Sequence, residues 1–196
     1  MAYSEFEQDS SKLLLDAVNV LLQMIGEPPI DTEEDYKEVQ EAMIALDVIK
    51  ETKREILADG WDLNTDTDYV FPLGEDSKIT IPFNVLSISS TDGDIVIRSW
   101  KAYSKSNRSM NFEEPITVDV IWDVPFNDIP HALRNYITVS AARKFQARQI
   151  MDRLVYSYSE ADEGRARIIA KRDNNRTSKP NMYTSRYGQQ YLVGGL

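Results

Sequence analysis

His131 is the only histidine in a chain of 196 residues, and there is no cysteine at all. Those two facts remove most of the usual chemical centres. Paired imidazoles and thiolate metal sites need ligands the chain lacks, and a disulfide framework is excluded. A single histidine in the first turn of a helix is expected to be structural or merely exposed. No phosphate-cradling loop, G-x-G-x-x-G or G-x-S-x-G occurs. No catalytic residue, metal ligand or cofactor-binding residue is therefore assigned, and no cofactor is expected. What remains is a supply of carboxylates, 32 in all. A pair of these, one kept protonated, can cleave a glycosidic bond, so a glycan or cell-wall hydrolase is the alternative reading. Against it, the acids come in runs such as Glu33 to Asp35, which suit the solvated start of a helix.

The other chemistry on offer is phosphate binding. Arg143, Lys144, Arg148, Arg153, Arg165 and Arg167 are interleaved with Tyr156, Tyr158, Tyr183 and Tyr187. Cations beside aromatic rings can hold a nucleic-acid backbone and stack its bases. The balance of the whole chain opposes tight binding, since its net charge is −10. That charge is also unevenly spread. Residues 1–60 carry 15 acids and 5 bases, residues 61–129 carry 12 and 5, and residues 130–196 carry 5 and 12. The arginines are expected to pair with acidic surface in the same chain or in a neighbour. A molecule with such poles attracts copies of itself head to tail.

These residues must be positioned by helices at both ends of the chain and strands between. An apolar content of 42% suits an ordinary folded protein. No stretch reaches the roughly 20 apolar residues of a membrane span, and the acidic N-terminus does not resemble a signal peptide. Leu14, Val18, Leu21 and Ile25 recur at helical spacing after a cap at Ser10 or Ser11. Gly26, Pro28 and Pro29 then stop that helix. A second, running unbroken from Glu33 to Asp59, is predicted from Val39, Ala42, Leu46, Ile49 and Ile56, with Gly60 at its end. Turn clusters at Asn64–Asp68, Gly74–Ser77 and Thr91–Asp94 separate predicted strands at Ile79–Ile81, Val85–Ile88, Ile95–Ser99 and Ile116–Trp122. Helical spacing returns with Leu133, Ile137, Ala141 and Phe145, flanked by Tyr136 and Ser140. A fourth helix is expected from Ser159 to Arg172, with Ala161, Ile168 and Ile169 as its apolar side.

The fold class is thus α+β: an antiparallel helical bundle with a small antiparallel β domain inserted and an extended C-terminal arm. The expected boundaries are 1–60 and 128–174 for the bundle, 61–127 for the β domain and 175–196 for the arm.

In outline the chain resembles the tail tubular protein A family, the adaptor or gatekeeper of short-tailed bacteriophages. The resemblance is carried by Ile25 to Pro29, by Gly60 and Trp61, and by Asp128, Pro130, Arg134, Tyr136, Ile137, Ala141, Ala142, Arg143 and Phe145. Asn181 to Tyr183 is a weaker echo. The resemblance implies a structural protein of the virion with no catalysis, made in the host cytoplasm. It implies a homo-oligomeric ring, twelve copies being expected, between the portal and the tail nozzle protein. Genomic DNA would pass through the lumen without sequence-specific binding, and no membrane would be involved.

Within that frame, subunit contacts are expected between Arg165 and Arg167 of one copy and acids such as Glu33 and Glu34 of the next. The arm, rich in glycine and poor in apolar residues, cannot fold alone. It is expected to dock on a partner through Tyr183, Tyr187, Tyr191 and Leu192, with Arg176, Lys179 and Arg186 meeting acidic surface. One consequence follows from the corner at Gly26. Replacing this glycine by valine should cost on the order of 1 kcal/mol or more, because a β-branched residue resists the left-handed conformation; thermal melts of Gly26→Val against the parent protein measure it.

Overall fold

The computed structural model describes residues 3–91, 93–149 and 153–177. Helix α1 (Tyr3–Met24) begins well before Ser10 and Ser11, so these serines lie inside the helix instead of capping it. Its end is the expected one. Gly26 has φ +80°, the Gly26 N–H donates to the Gln23 carbonyl and the Glu27 N–H to the Leu22 carbonyl. This paired closure satisfies carbonyls that α1 would otherwise leave open. Asn19 then secures the chain beyond the prolines. Its amide donates to the Ile30 carbonyl at 3.0 Å, and its oxygen accepts the Ile30 N–H at 2.9 Å.

The second helix is not continuous. Glu33–Lys37 form a 3-10 turn, Val39 is extended, and α2 runs from Gln40 to Leu57. Burial explains the break. Tyr36 and Ala45 are both buried, yet on one unbroken helix residues nine apart would face opposite ways. Breaking the helix between them turns both toward one core. The Asp35 carboxylate consolidates the turn by accepting the backbone N–H of Asp31 and Thr32.

After Gly60 the described residues form five strands: β1 (Thr65–Phe71), β2 (Val85–Ser89), β3 (Ile95–Arg98), β4 (Lys101–Ser104) and β5 (Ile116–Trp122). They form a three-stranded antiparallel sheet in the order β1-β5-β2 and a separate β3-β4 hairpin. β5 alternates buried and exposed residues as its sequence predicts. β1 lies where a turn was expected, because it is a polar edge strand with only Phe71 buried. β4 follows a two-residue turn in which Ser99 and Trp100 both have positive φ, a geometry usually announced by Asn-Gly. Ile79–Ile81 is not a strand. Both isoleucines are buried and their backbones bond to Trp100 and Ala102, but Pro82 offers no N–H to prolong a ladder.

Helix α3 (His131–Gln149) buries Leu133, Ile137, Ala141 and Phe145 on one side, with Tyr136 and Ser140 beside them. Helix α4 (Arg153–Thr177) packs along α3 and is longer at both ends than expected. Leu21, Leu22, Ile49, Ile137 and Phe145 join in one buried cluster, against which Leu46 packs half-buried. A second cluster unites Phe71, Ile79, Ile81, Val85, Ala102, Val118 and Val120.

Asn64 joins the helices to the sheet. It is 1% exposed, and its side chain makes three hydrogen bonds. The oxygen accepts the Trp61 N–H at 2.9 Å, and the amide donates to Leu57 at the end of α2 and to Trp122 at the end of β5. Beside it the Trp61 indole N–H donates to the Ile56 carbonyl at 2.7 Å. Gly60 fits close by: a β-carbon there would lie 3.2 Å from Ile121, at φ +76°. Lys53 closes the other side, donating to the Val124 carbonyl and pairing with Asp123 at 2.6 Å. Replacing Asn64 by alanine leaves the buried Trp61 N–H without its partner and removes the bonds to Leu57 and Trp122, though the Leu57 carbonyl keeps the Gly60 N–H, and should cost about 1–3 kcal/mol. Denaturant unfolding of Asn64→Ala gives the figure directly.

Candidate assembly surface

Three basic side chains of α3 are paired with the chain's own acids. Arg148 meets Glu51 at 2.9 Å, Lys144 meets Glu55, and Arg143 meets Glu163 at 2.5 Å while Ser140 donates to the same carboxylate. Each such pair is worth no more than about 1 kcal/mol where solvent reaches it. Their effect on recognition is larger, since Arg143, Lys144 and Arg148 are the cations the sequence offered to phosphate. Arg153, Tyr156, Tyr158, Tyr183 and Tyr187 have side chains outside the described ones.

α4 behaves differently. It meets α3 through Ala166 and Ala170, which are buried, and not through Ala161 and the isoleucines expected to form its apolar side, all three of which are exposed. Small residues let the two helices approach closely, and two adjacent isoleucines could not replace them without separating the axes. Ile168 is consequently 61% exposed and Ile169 53%. At 3.6 residues per turn, Arg165, Ile168, Ile169, Arg172 and Arg176 fall within about 100° of one another on the side away from α3. All five are exposed. Arg165 and Arg167, named together from the sequence, part company here, because residues two apart on a helix do not share a face. Arg165 lies on the outward stripe and touches only Asp162, at 3.4 Å, among the described ion pairs. Arg167 is exposed on another side, where its charge acts on the phenol of Tyr136. Burial pushes that phenol above its ordinary pKa, and Arg167 partly opposes the rise.

The acids gather elsewhere. Glu34 and Glu38 are exposed around the 3-10 turn, and Asp47 is exposed one turn beyond Met43, itself 46% exposed. The Glu33 side chain lies outside those described. Some carboxylates are shifted by the fold, and those are held below their usual range. Asp35 is lowered first by the Thr32 backbone N–H, and Asp94 first by the Ser104 hydroxyl and then by the Ser106 N–H. At Asp76 desolvation pulls upward, but Lys101 and Lys78 outweigh it. A general acid in glycan cleavage needs the opposite shift. The cleft of about 650 Å³ at the far end of the hairpin does hold Asp94, Glu113 and Glu114. The oxygens of Asp94 are committed there to closing a turn, through Ser104 at 2.7 Å and Ser106 at 2.6 Å. His131 stands exposed at the first residue of α3. Among the described residues no group of three or more His, Asp or Glu is placed to hold a metal, and no helix is long and apolar enough to cross a membrane.

Of the residues expected to anchor the arm, Arg176 is placed, exposed in the last turn of α4, so the helix continues two residues past 175 where the arm was to begin. Lys179, Tyr183, Arg186, Tyr187, Tyr191 and Leu192 lie outside the described residues. The sequence misplaced Ile168 and Ile169. The signal available was the pair of alanines four residues apart, Ala166 and Ala170, which marks the close-packed side.

An α+β building block that shows a basic and apolar helix face on an otherwise acidic body is of the class of assembly proteins. A family model described as tail tubular protein matches residues 15–180, and the chain belongs to that family. It is a structural protein of the phage tail. No curated protein matches its sequence. The two faces of α4 make opposite demands on substitution. Ile168→Ser with Ile169→Ser should change the stability of the isolated chain by no more than about 0.5 kcal/mol each. Ala166→Leu, forced between two helices, should cost about 1–3 kcal/mol. Calorimetry at a dilution where the chain is monomeric compares them.

Proposed function

We propose that this tail tubular protein is the adaptor that forms a ring between the portal and the tail nozzle, with the DNA channel through its centre. The observation that carries this reading is the outward stripe of α4, two bare isoleucines set among arginines. A chain that pairs three cations of α3 internally, yet leaves this stripe to solvent, is built for contact with another protein. Repeated around an axis, one heterologous contact closes a ring. Arg165 of one copy reaches the acidic surface of the next near Glu33 and Glu34, Arg167 lying on another side of the helix, and twelve copies follow the symmetry implied by the resemblance. Because the basic helix is occupied at the subunit boundary, the surface left for the lumen is mainly acidic, which lets DNA slide instead of adhering. The role requires no catalysis. Synthesis takes place in the host cytoplasm, and the working location is the virion.

The helical bundle of 1–60 and 128–174 supplies the ring body and 61–127 the β domain. Residues 175–196 reach a partner, the portal or an adjacent subunit, with Tyr183, Tyr187, Tyr191 and Leu192 as anchors and Arg176, Lys179 and Arg186 steering them.

Native mass measurement tests the central statement. The expected result is a closed particle of about a dozen 22.4 kDa chains, dissociating as salt is raised because charged contacts are screened. A monomer at every concentration, or one that cleaves bacterial glycan, overturns it. Deleting residues 175–196 should leave a folded, helical chain that no longer attaches to portal-bearing capsids; normal attachment would dismiss the arm.

A further inference from the structure

The outward face of α4 has a definite counterpart, and we infer that it is the N-terminal half of α2 in a second copy, centred on Met43. This inference rests on the self-assembly proposed above and names the surfaces that make it.

Three observations converge. First, the charges are complementary. From Gly164 to Thr177 the chain carries Arg165, Arg167, Lys171, Arg172 and Arg176 against Asp173 alone. From Glu27 to Asp47 it carries eight carboxylates against Lys37 alone. Second, the acids of α2 divide in two. Glu51 and Glu55, toward its C-terminus, are occupied by Arg148 and Lys144 of the same chain. Asp47, in its N-terminal half, and Glu34 and Glu38, in the segment just before it, are exposed and have no ion pair among the described residues. Third, each patch has an exposed apolar centre. Ile168 and Ile169 stand among the arginines of α4, and Met43 stands between Gln40 and Asp47 on the outward stripe of α2. Nucleic acid would satisfy the arginines but not the isoleucines. A helix bearing carboxylates around an exposed methionine satisfies both.

The pairing has a geometric consequence. The ion pairs run Arg148 to Glu51 and Lys144 to Glu55, so α2 is antiparallel to α3. α4 returns along α3, reaching Asp62 beyond the end of α2 where Asn174 accepts its N–H. α2 and α4 of one chain therefore point the same way. With Glu55 level with Lys144 and Glu163 level with Ser140 to Arg143, counting at about 1.5 Å per residue puts Met43 roughly 30 Å farther down the bundle than Ile168. Joining the two patches between neighbours offsets successive copies by that amount along the helices. A closed ring absorbs the offset only if its bundles are inclined to the ring axis.

The absence of native cysteine gives a direct test. In the full-length chain, Met43→Cys and Ile169→Cys are made singly and together and oxidised under native conditions. Mixing the two single variants should yield a disulfide dimer that neither yields alone, and the double variant should yield a ladder of covalent multimers. Arg165→Glu with Arg172→Glu should raise the concentration needed for assembly at least tenfold, and adding Asp47→Lys should recover part of the loss. A particle of ring mass that gives no Met43→Cys to Ile169→Cys cross-link overturns this contact while leaving the adaptor reading intact. Cross-linked open filaments establish the contact and overturn the ring. Dimers formed by Ile169→Cys alone show a symmetric α4 contact and reject the inference.

Discussion

The buried amide of Asn64 ties the helices to the sheet, a junction that Leu86 of β2 and the ion pairs of Asp123 also span. Helices and sheet have separate apolar clusters, and the chain crosses between them only near Trp61 and near Asp123. Both crossings meet at this one side chain, which binds the end of α2, the turn after it and the end of β5. Three bonds in a site closed to water hold better than the same bonds at the surface, because no solvent molecule can replace a broken one. Lys53, Arg54 and Asp123 brace the far side of the junction. The angle between bundle and sheet is therefore set by hydrogen bonds whose directions are specific, where apolar contact alone would allow sliding. For a building block repeated around an axis, an error in that angle would be repeated in every copy.

Charge organises the rest. An acidic protein with a basic third could spend its cations in three ways: on its own acids, on phosphate or on a neighbour. The fold divides them. α3 lies between α2 and α4, so its Arg143, Lys144 and Arg148 reach carboxylates on both sides. Among its described side chains, α4 touches the bundle through Ala166, Ala170 and Glu163, and the others mostly face away. Its cations and isoleucines are thus displayed by position. The sheet shows a similar division. Trp100 sits in a left-handed turn and packs edge-on against Phe83 at 4.7 Å, with both rings largely exposed. A bulky residue in that conformation is strained and needs its surroundings to hold it there, which the Trp100 carbonyl achieves by accepting the Ile81 N–H.

The sequence by itself determined the features that depend on local chemistry. Gly26 with two prolines closes α1 whatever lies around it, β5 alternates because one face must be dry, and Leu133, Ile137, Ala141 and Phe145 can share a side only on a helix. The resemblance rested on Ile25 to Pro29, on Gly60 and Trp61, and on residues between Asp128 and Phe145, all of which the family match covers. Other features belong to the tertiary structure. The break at Val39 arises because Tyr36 and Ala45 must reach one core, a demand no local pattern contains. β1 is an edge strand whose polar residues look like a turn until β5 pairs with it. The inward choice of Ala166 and Ala170 over Ile168 and Ile169 follows from how closely α3 approaches. Hydropathy ranks the isoleucines first, but packing distance admits only the alanines, and so the surface offered to partners was decided by the fold.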